Sequence, residues 1–219
     1  MRILLVAATQ KEIEPTVRYL AERLYQPKQL RVELLFTGVG SMATTYSLMR
    51  QLNTNRPDMA VQAGIGGSFH PLFTPGMVVS IKEEIPGDLG VMERDHWHSL
   101  ADLGLTGADE PPFRHGRLPN PHKELLEKAG LHAVPGITVN RISTETTLIS
   151  QWKERFTPVV ESMEGAAFHY VCLQESIPFL QIRAISNHVG ERDKSKWELG
   201  PSIQNLNESL IRLLHILTD

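Results

Sequence analysis

Two carboxylates, one arginine and one asparagine stand where this sequence can do chemistry. Glu12 follows Thr9 by three residues, just past the apolar run Ile3 to Ala8. Such a carboxylate either stabilises a helix start through the dipole or takes a proton from a reacting group. Glu164 lies in Glu161-Ser162-Met163-Glu164-Gly165-Ala166-Ala167, behind the apolar pair Val159-Val160 and ahead of small residues. An ionised carboxylate there can also serve a helix dipole, or it can accept hydrogen bonds from two neighbouring hydroxyls at once. Arg183 is embedded in the apolar stretch Phe179 to Ser186, directly before Asn187. A buried arginine needs a partner, so it belongs to a structural ion pair or to a polar site. Ala63-Gly64-Ile65-Gly66-Gly67 is either a tight turn or a backbone surface that a ligand can approach closely. It matches neither the Walker pattern nor the full dinucleotide spacing, which argues against ATP and NAD. His96 and His98 share a strand face without a third ligand at metal spacing, so no metal is expected. Cys172 reads as a core thiol, and no serine sits in a Gly-x-Ser-x-Gly setting.

These residues depend on an alternation of strands and helices. Strands are expected at Arg2 to Thr9, Leu30 to Phe36, Met59 to Gln62 (running into the glycine loop), Met77 to Ile81, Ile137 to Asn140 and Phe179 to Ser186. Ile13, Val17, Leu20 and Leu24 trace one helix, and Ser41 caps another that runs through Gln51. Gly165 to Glu175 forms a third. A final stripe of Ile203, Leu206, Leu210, Leu213, Leu214 and Leu217 follows Gly200-Pro201. Pro86 to Pro121 breaks the rhythm and reads as an insertion or active-site loop. Alternation of this kind gives a parallel α/β sheet whose ligands bind beyond the carboxyl ends of its strands. Thr9 to Glu12, Gly38 to Ser41, Gly64 to Ser68, Ser162 to Gly165 and Ser186 to Val189 all fall at such ends.

The bulk numbers narrow the class. The 219 residues carry 22 Lys+Arg and 25 Asp+Glu, a net charge of −3, with 41% hydrophobic and 21% charged residues. That composition excludes a disordered chain, and the lack of a basic surplus argues against a nucleic-acid partner. One cysteine cannot form an intrachain disulfide, which suits a reducing cytoplasm. Ile3 to Ala8 is too short for a membrane span, so no membrane role is expected. One domain over 1–219 is the expectation.

In this order, Glu12, Thr37-Gly38-Val39-Gly40, Ala63-Gly64-Ile65-Gly66-Gly67, Met163-Glu164-Gly165-Ala166 and Arg183-Ala184-Ile185-Ser186-Asn187 resemble the purine nucleoside phosphorylase and nucleosidase superfamily. Its methylthioadenosine/S-adenosylhomocysteine nucleosidases are the nearer relatives. The resemblance implies a single-domain three-layer α/β/α fold with a central mixed, mostly parallel sheet. It implies Glu12 as general base on a water attacking the anomeric carbon, Met163 and Glu164 under the ribose, and Asn187 at the purine N7 edge. Gly64, Ile65, Gly66, Ser162, Arg183 and Ser186 are expected to bind substrate. A carboxylate in the first loop would repel phosphate, which favours hydrolysis over phosphorolysis. Adenosine-type members carry Asp where this chain has Asn187, and an amide NH2 suits a 6-oxopurine better. With the run to Trp197, this resembles the futalosine hydrolase branch of menaquinone biosynthesis, whose product is hypoxanthine. Arg192, Lys194 and Lys196 are then candidates for the substrate's carboxylate, unless they belong to a solvated loop. Phe69 and His70 are further candidates for the pocket lining, because Asn140 to Thr147 offers no aromatic residue to stack on the base. A homodimer with a purine nucleoside as small-molecule substrate, no cofactor and no metal complete the expectation. The alternatives are another purine nucleosidase, such as one for methylthioadenosine, and a non-enzymatic nucleoside-binding protein.

Overall fold

β1 (Arg2–Ala7) is apolar from Ile3 onward and buried on both faces, as a central parallel strand must be. In the computed structural model, which describes residues 1–22 and 30–217, its alternating side chains feed two separate cores. Ile3, Leu5 and Ala7 pack with Ile13 of α1 (Gln10–Glu22) and with Leu206, Leu210, Leu213 and Leu214 of the last helix. Leu4 and Val6 pack instead with Leu48 and Leu52 of α2 (Ser41–Thr54), and with Phe168, Val171 and Cys172 further on. Helices therefore cover both faces of one sheet, giving the expected α/β/α layering. Leu24, the last residue of the first predicted stripe, lies outside the described residues.

The chain continues through β2 (Arg31–Phe36), β3 (Met59–Ser68), β4 (Val78–Pro86), β5 (Gly90–Glu93), β6 (His96–Ser99) and β7 (Leu118–Pro119). It is completed by α3 (Lys123–Ala129), β8 (His132–Thr138), α4 (Thr146–Phe156), β9 (Val160–Ser162), α5 (Gly165–Gln174), β10 (Phe179–His188) and α6 (Leu199–Ile216). β1 pairs in parallel with β2 and β3, β3 with β10, and β4 and β9 with β8. Antiparallel pairs join β10 to β4, β3 to β9 and β4 to β7. The sheet is thus mixed and mostly parallel, and β3, β10, β4, β8 and β9 close on one another as a ring. One edge of β3 changes neighbour along its length: residues 59–62 pair with β1, whereas Gly67 and Ser68 pair with β9. β1 and β9 diverge there and leave a crevice.

Four expectations need correction. The glycine loop is strand: β3 runs on to Ser68, held along its other edge by β10. Ser41 is the first helical residue of α2 and not its cap. Gly40, at φ 94°, takes the cap position, while the Ser41 hydroxyl donates to the Met163 carbonyl at 3.3 Å. Gly200 and Pro201 lie inside the first turn of α6, where a proline's missing N–H costs nothing. The insertion at 86–121 is partly regular, holding the β5–β6 hairpin and β7.

Candidate active site

A cavity of about 360 Å³ occupies the crevice beyond the carboxyl ends of β1, β3, β9 and β10. One side of its lining is polar, with Thr9, Lys11, Glu12, Glu161, Ser162, Glu164, Ser186 and Asn187. The rest is apolar, with Val39, Ile142, Met163, Trp197, Leu199 and Ile203, and Ile65, Gly66 and Gly67 of β3 complete the lining.

Glu12 reaches this cavity from the third position of α1. Its Oε2 accepts from the Thr9 backbone N–H at 2.9 Å and the Thr9 hydroxyl at 3.1 Å, and its Oε1 accepts from the Ile65 N–H at 3.2 Å. A carboxylate has more lone pairs than these donors fill. The group is held in place and still free to accept a proton from a water in the cavity. Gly64 lies directly behind it: a Cβ there would stand 3.0 Å from Glu12 Oε1 and 2.6 Å from Arg183 Nη1. Glycine lets the base-like carboxylate and the arginine approach the strand together.

Glu164 precedes α5 at its N-cap, yet its side chain points away from that helix. Oε1 accepts from the Gly40 N–H at 3.1 Å, and Oε2 pairs with Arg183 Nη1 at 3.3 Å. Arg183, 2% exposed, also donates to Gln181 Oε1 at 2.9 Å and Gln62 Oε1 at 3.1 Å. Gln181 in turn donates to Glu84 Oε1 at 3.1 Å, and the Thr138 hydroxyl donates to Glu84 Oε2 at 2.9 Å while accepting from the Ala166 N–H at 2.7 Å. A continuous polar chain therefore runs beneath the cavity from Glu164 to the start of α5. Burial pushes the Glu84 carboxyl up to about 7, against the pull of Arg183. Nearby, burial pushes His169 down to about 3, and its Nδ1 donates to the Leu118 carbonyl at 2.9 Å.

At the far end of the polar wall, β10 carries a bulge between Ile185 and Asn187. The extra residue breaks the strand's alternation, so Ser186 and Asn187 both face the cavity. The Ser186 hydroxyl donates to Asn187 Oδ1 at 2.8 Å, which fixes the amide, and Asn187 Nδ2 donates to the His188 carbonyl at 2.9 Å. One N–H of that NH2 is left over. Across Gly67, in register on β9, stands Glu161. Its carboxylate is bound by the Ser143 N–H and hydroxyl, and burial raises it above the ordinary carboxylate range.

Glu12, Ile65, Gly66, Ser162, Met163, Glu164, Ser186 and Asn187 thus meet at one cavity. Gly64 and Arg183 lie one layer behind it, and Arg183 spends its donors on protein partners. Arg192, Lys194 and Lys196 are not on the wall. Lys196 pairs with Glu191 at 2.8 Å, and Arg192 stacks its guanidinium 5.7 Å from the Trp197 ring. Phe69 is core, packed with Trp152, and His70 is exposed, accepting from the Leu72 N–H. Neither reaches the cavity. Sequence reasoning missed Glu161, Ile142, Lys11 and the apolar residues of α6, Leu199 and Ile203. Glu161 had a signal, because it is the other charge of the Glu161-Ser162-Met163-Glu164 motif. Among the described residues no group of three His, Cys, Asp or Glu is arranged to hold a metal ion, and no helix is long and apolar enough to cross a membrane.

The chain is 30% identical over 184 residues to a futalosine hydrolase of Thermus thermophilus, spanning 82% of this chain and 80% of that protein. It is 28% identical over 192 residues to a futalosine hydrolase of Streptomyces coelicolor, spanning 84% and 79%. Its fold matches a crystal structure of the Helicobacter pylori 5′-methylthioadenosine/S-adenosylhomocysteine nucleosidase with a TM-score of 0.81 and 14% identity, over 98% of each chain. A family model, described as the phosphorylase superfamily, matches residues 2–219. The chain belongs to the phosphorylase superfamily.

Proposed function

We propose that this protein is a nucleosidase that hydrolyses the N-ribosidic bond of futalosine and releases hypoxanthine, a step the family resemblance assigns to menaquinone biosynthesis. The observation that carries the reading is the grouping of Glu12, Glu164 and an amide, Asn187, around one cavity. The similarity to the Thermus and Streptomyces futalosine hydrolases supports it. Water attacks C1′ as the bond to the purine breaks through an oxocarbenium-like transition state. Glu12 takes the proton of that water. Glu164, already charge-balanced by Arg183, accepts hydrogen bonds from the ribose hydroxyls, with Met163 as an apolar floor. The remaining N–H of Asn187 stabilises negative charge building on the 6-oxopurine, which leaves as the anion and takes its proton from solvent, to which Glu12 returns the one it took. Trp197, Leu199, Ile203 and Val39 offer an apolar wall to the 5′ substituent. Of the cations expected for its carboxylate, Arg192 is held over Trp197, Lys196 is engaged by Glu191 and none of Arg192, Lys194 and Lys196 lines the cavity, so the role passes to Lys11, the cation that does. No cofactor takes part in these steps. We further propose a cytoplasmic homodimer working as one unit over 1–219. Val39, which lines the cavity, and Met42 and Tyr46 of α2 are exposed, Met42 by 86%, as are Leu34 and Phe36 of β2, the strand that leads into Val39. Such a patch calls for a second copy.

The test is product analysis on a panel of futalosine, methylthioadenosine and inosine. Futalosine is expected to be cleaved with hypoxanthine release, and Glu12→Gln to bind it but turn over at least about a hundredfold more slowly. Efficient methylthioadenosine cleavage with futalosine untouched would assign the site to the adenosine-type nucleosidases instead. Unchanged turnover in Glu12→Gln would remove Glu12 from the mechanism.

A further inference from the structure

We propose that Asn207, on the buried face of α6, is a positioning residue for Glu12; the inference rests on Glu12 being the base. In an α-helix the Thr16 N–H would bond to the carbonyl of Glu12, four residues earlier. In α1 that rung is open. Ile13 leaves helical geometry at φ −120°, ψ 17°, and Pro15 has no N–H and crowds the turn before it. The Asn207 side chain is inserted in the gap. Its Nδ2 donates to the Glu12 carbonyl at 2.9 Å, and its Oδ1 accepts from the Thr16 N–H at 3.0 Å and the Thr16 hydroxyl at 2.6 Å. The second Nδ2 hydrogen goes to the Ile203 carbonyl at 2.7 Å. Every hydrogen-bonding capacity of the amide is used, at 2% exposure, so no water stands in for it.

The consequence falls on Glu12. Because the rung is bridged and not closed, the first turn of α1 is offset from the rest of the helix. Thr9-Gln10-Lys11-Glu12 has the spacing of a helix capping box, and the Thr9 N–H bonded to Glu12 Oε2 is half of one. Capping alone does not account for the bond from Ile65 on β3 to the other oxygen. That bond needs the Glu12 main chain at a set distance from the sheet, and the part of α6 that supplies Asn207 fixes it there. Ile203, one turn earlier on α6, lines the cavity. One helix thereby ties the apolar wall to the carboxylate.

Two substitutions test this. Asn207→Asp keeps the shape and the acceptor but loses both N–H donors, and Asn207→Ser cannot span the gap. Both are expected to fold with a lowered Tm. Both should lower kcat on futalosine about tenfold to a hundredfold, the scale of a small misplacement of a reacting group, with KM within about threefold of wild type. In a Glu12→Gln background the same substitutions should cost no more than about twofold further. A kcat within twofold of wild type for a folded Asn207 variant overturns the proposal, and so does a loss that persists in full in the Glu12→Gln background. Glu12→Gln retaining wild-type turnover would instead overturn the assignment of the base itself, and the positioning role with it.

Discussion

An amide and a carboxyl group have the same outline but offer a purine different hydrogen-bond faces. At Asn187 the Ser186 hydroxyl donates to Oδ1, which turns the NH2 the other way and offers its remaining N–H to the base. That N–H can donate to N7 or to a 6-oxo group but cannot accept from a 6-amino group, which is itself a donor. Replacing Asn187 with Asp supplies an acceptor for a 6-amino group and, when protonated, a donor for N7. Asn187→Asp is therefore expected to shift the ratio of kcat/KM for methylthioadenosine over futalosine upward by at least about tenfold. An unchanged ratio would show that the 6-position is read elsewhere. Asn187, Glu12 and Glu164 were legible in the sequence because a charged or amide group just past a buried strand has few structural reasons to be there. Asn207 was not, and Glu161 showed only as a second charge in the Glu164 motif, because their partners, Thr16 and Ser143, are brought to them only by the fold. Arg183 announced that it needed a partner without saying which one.

At the scale of elements, the site depends on how closely α5 starts against β4 and β10. A Cβ on Gly165 would stand 1.9 Å from Glu84 Oε1 and 2.7 Å from Gln181 Oε1, both fully buried and bonded. Gly200, in the first turn of α6, has nothing within 4 Å of its would-be Cβ. The two glycines make a controlled pair, since Ala favours a helix over Gly by up to about 1 kcal/mol in either place. Gly200→Ala is expected to be neutral or mildly stabilising. Gly165→Ala is expected to lose about 2 kcal/mol or more through overpacking, a Tm drop of several degrees in thermal melts. Equal effects would mean that the polar layer under α5 yields easily. The strand–helix alternation was readable because β1 is apolar on both faces and β10 keeps Leu180, Ile182 and Ala184 in the core. The far half of β3 was not: glycines 64, 66 and 67 look like a turn until β10 and β9 are seen pairing along them. α4 went unread for a related reason, since it starts on Thr146 and Thr147, both β-branched.

Across the whole molecule, the layer between the sheet and α5 buries two titratable groups whose burial acts in opposite directions on stability. Glu84 is raised from an ordinary 4.5 to about 7. Its protonated form is favoured by folding, so stability from this group is full below about 4.5 and is lost as pH rises to about 7. His169 is lowered from 6.5 to about 3. Its neutral form is favoured by folding, so stability from this group is full above about 6.5 and is lost as pH falls toward about 3. Between about 4.5 and 6.5 the folded chain holds one proton on Glu84 that the unfolded chain has released, and lacks one on His169 that the unfolded chain has taken up. The two slopes cancel there. Glu84→Gln removes one of them, because the amide mimics the protonated acid and has no charge to bury. The Tm difference of Glu84→Gln minus wild type is therefore expected to become more positive between about pH 5 and pH 8, by at most about 3 kcal/mol in stability. With His169 alone left, the variant should also lose stability more steeply than wild type as the pH is lowered from about 6.5 to 4.5. Melts that give a difference independent of pH, or one that grows toward acid, would mean that Glu84 is ionised throughout and that Arg183 is shared between two carboxylates.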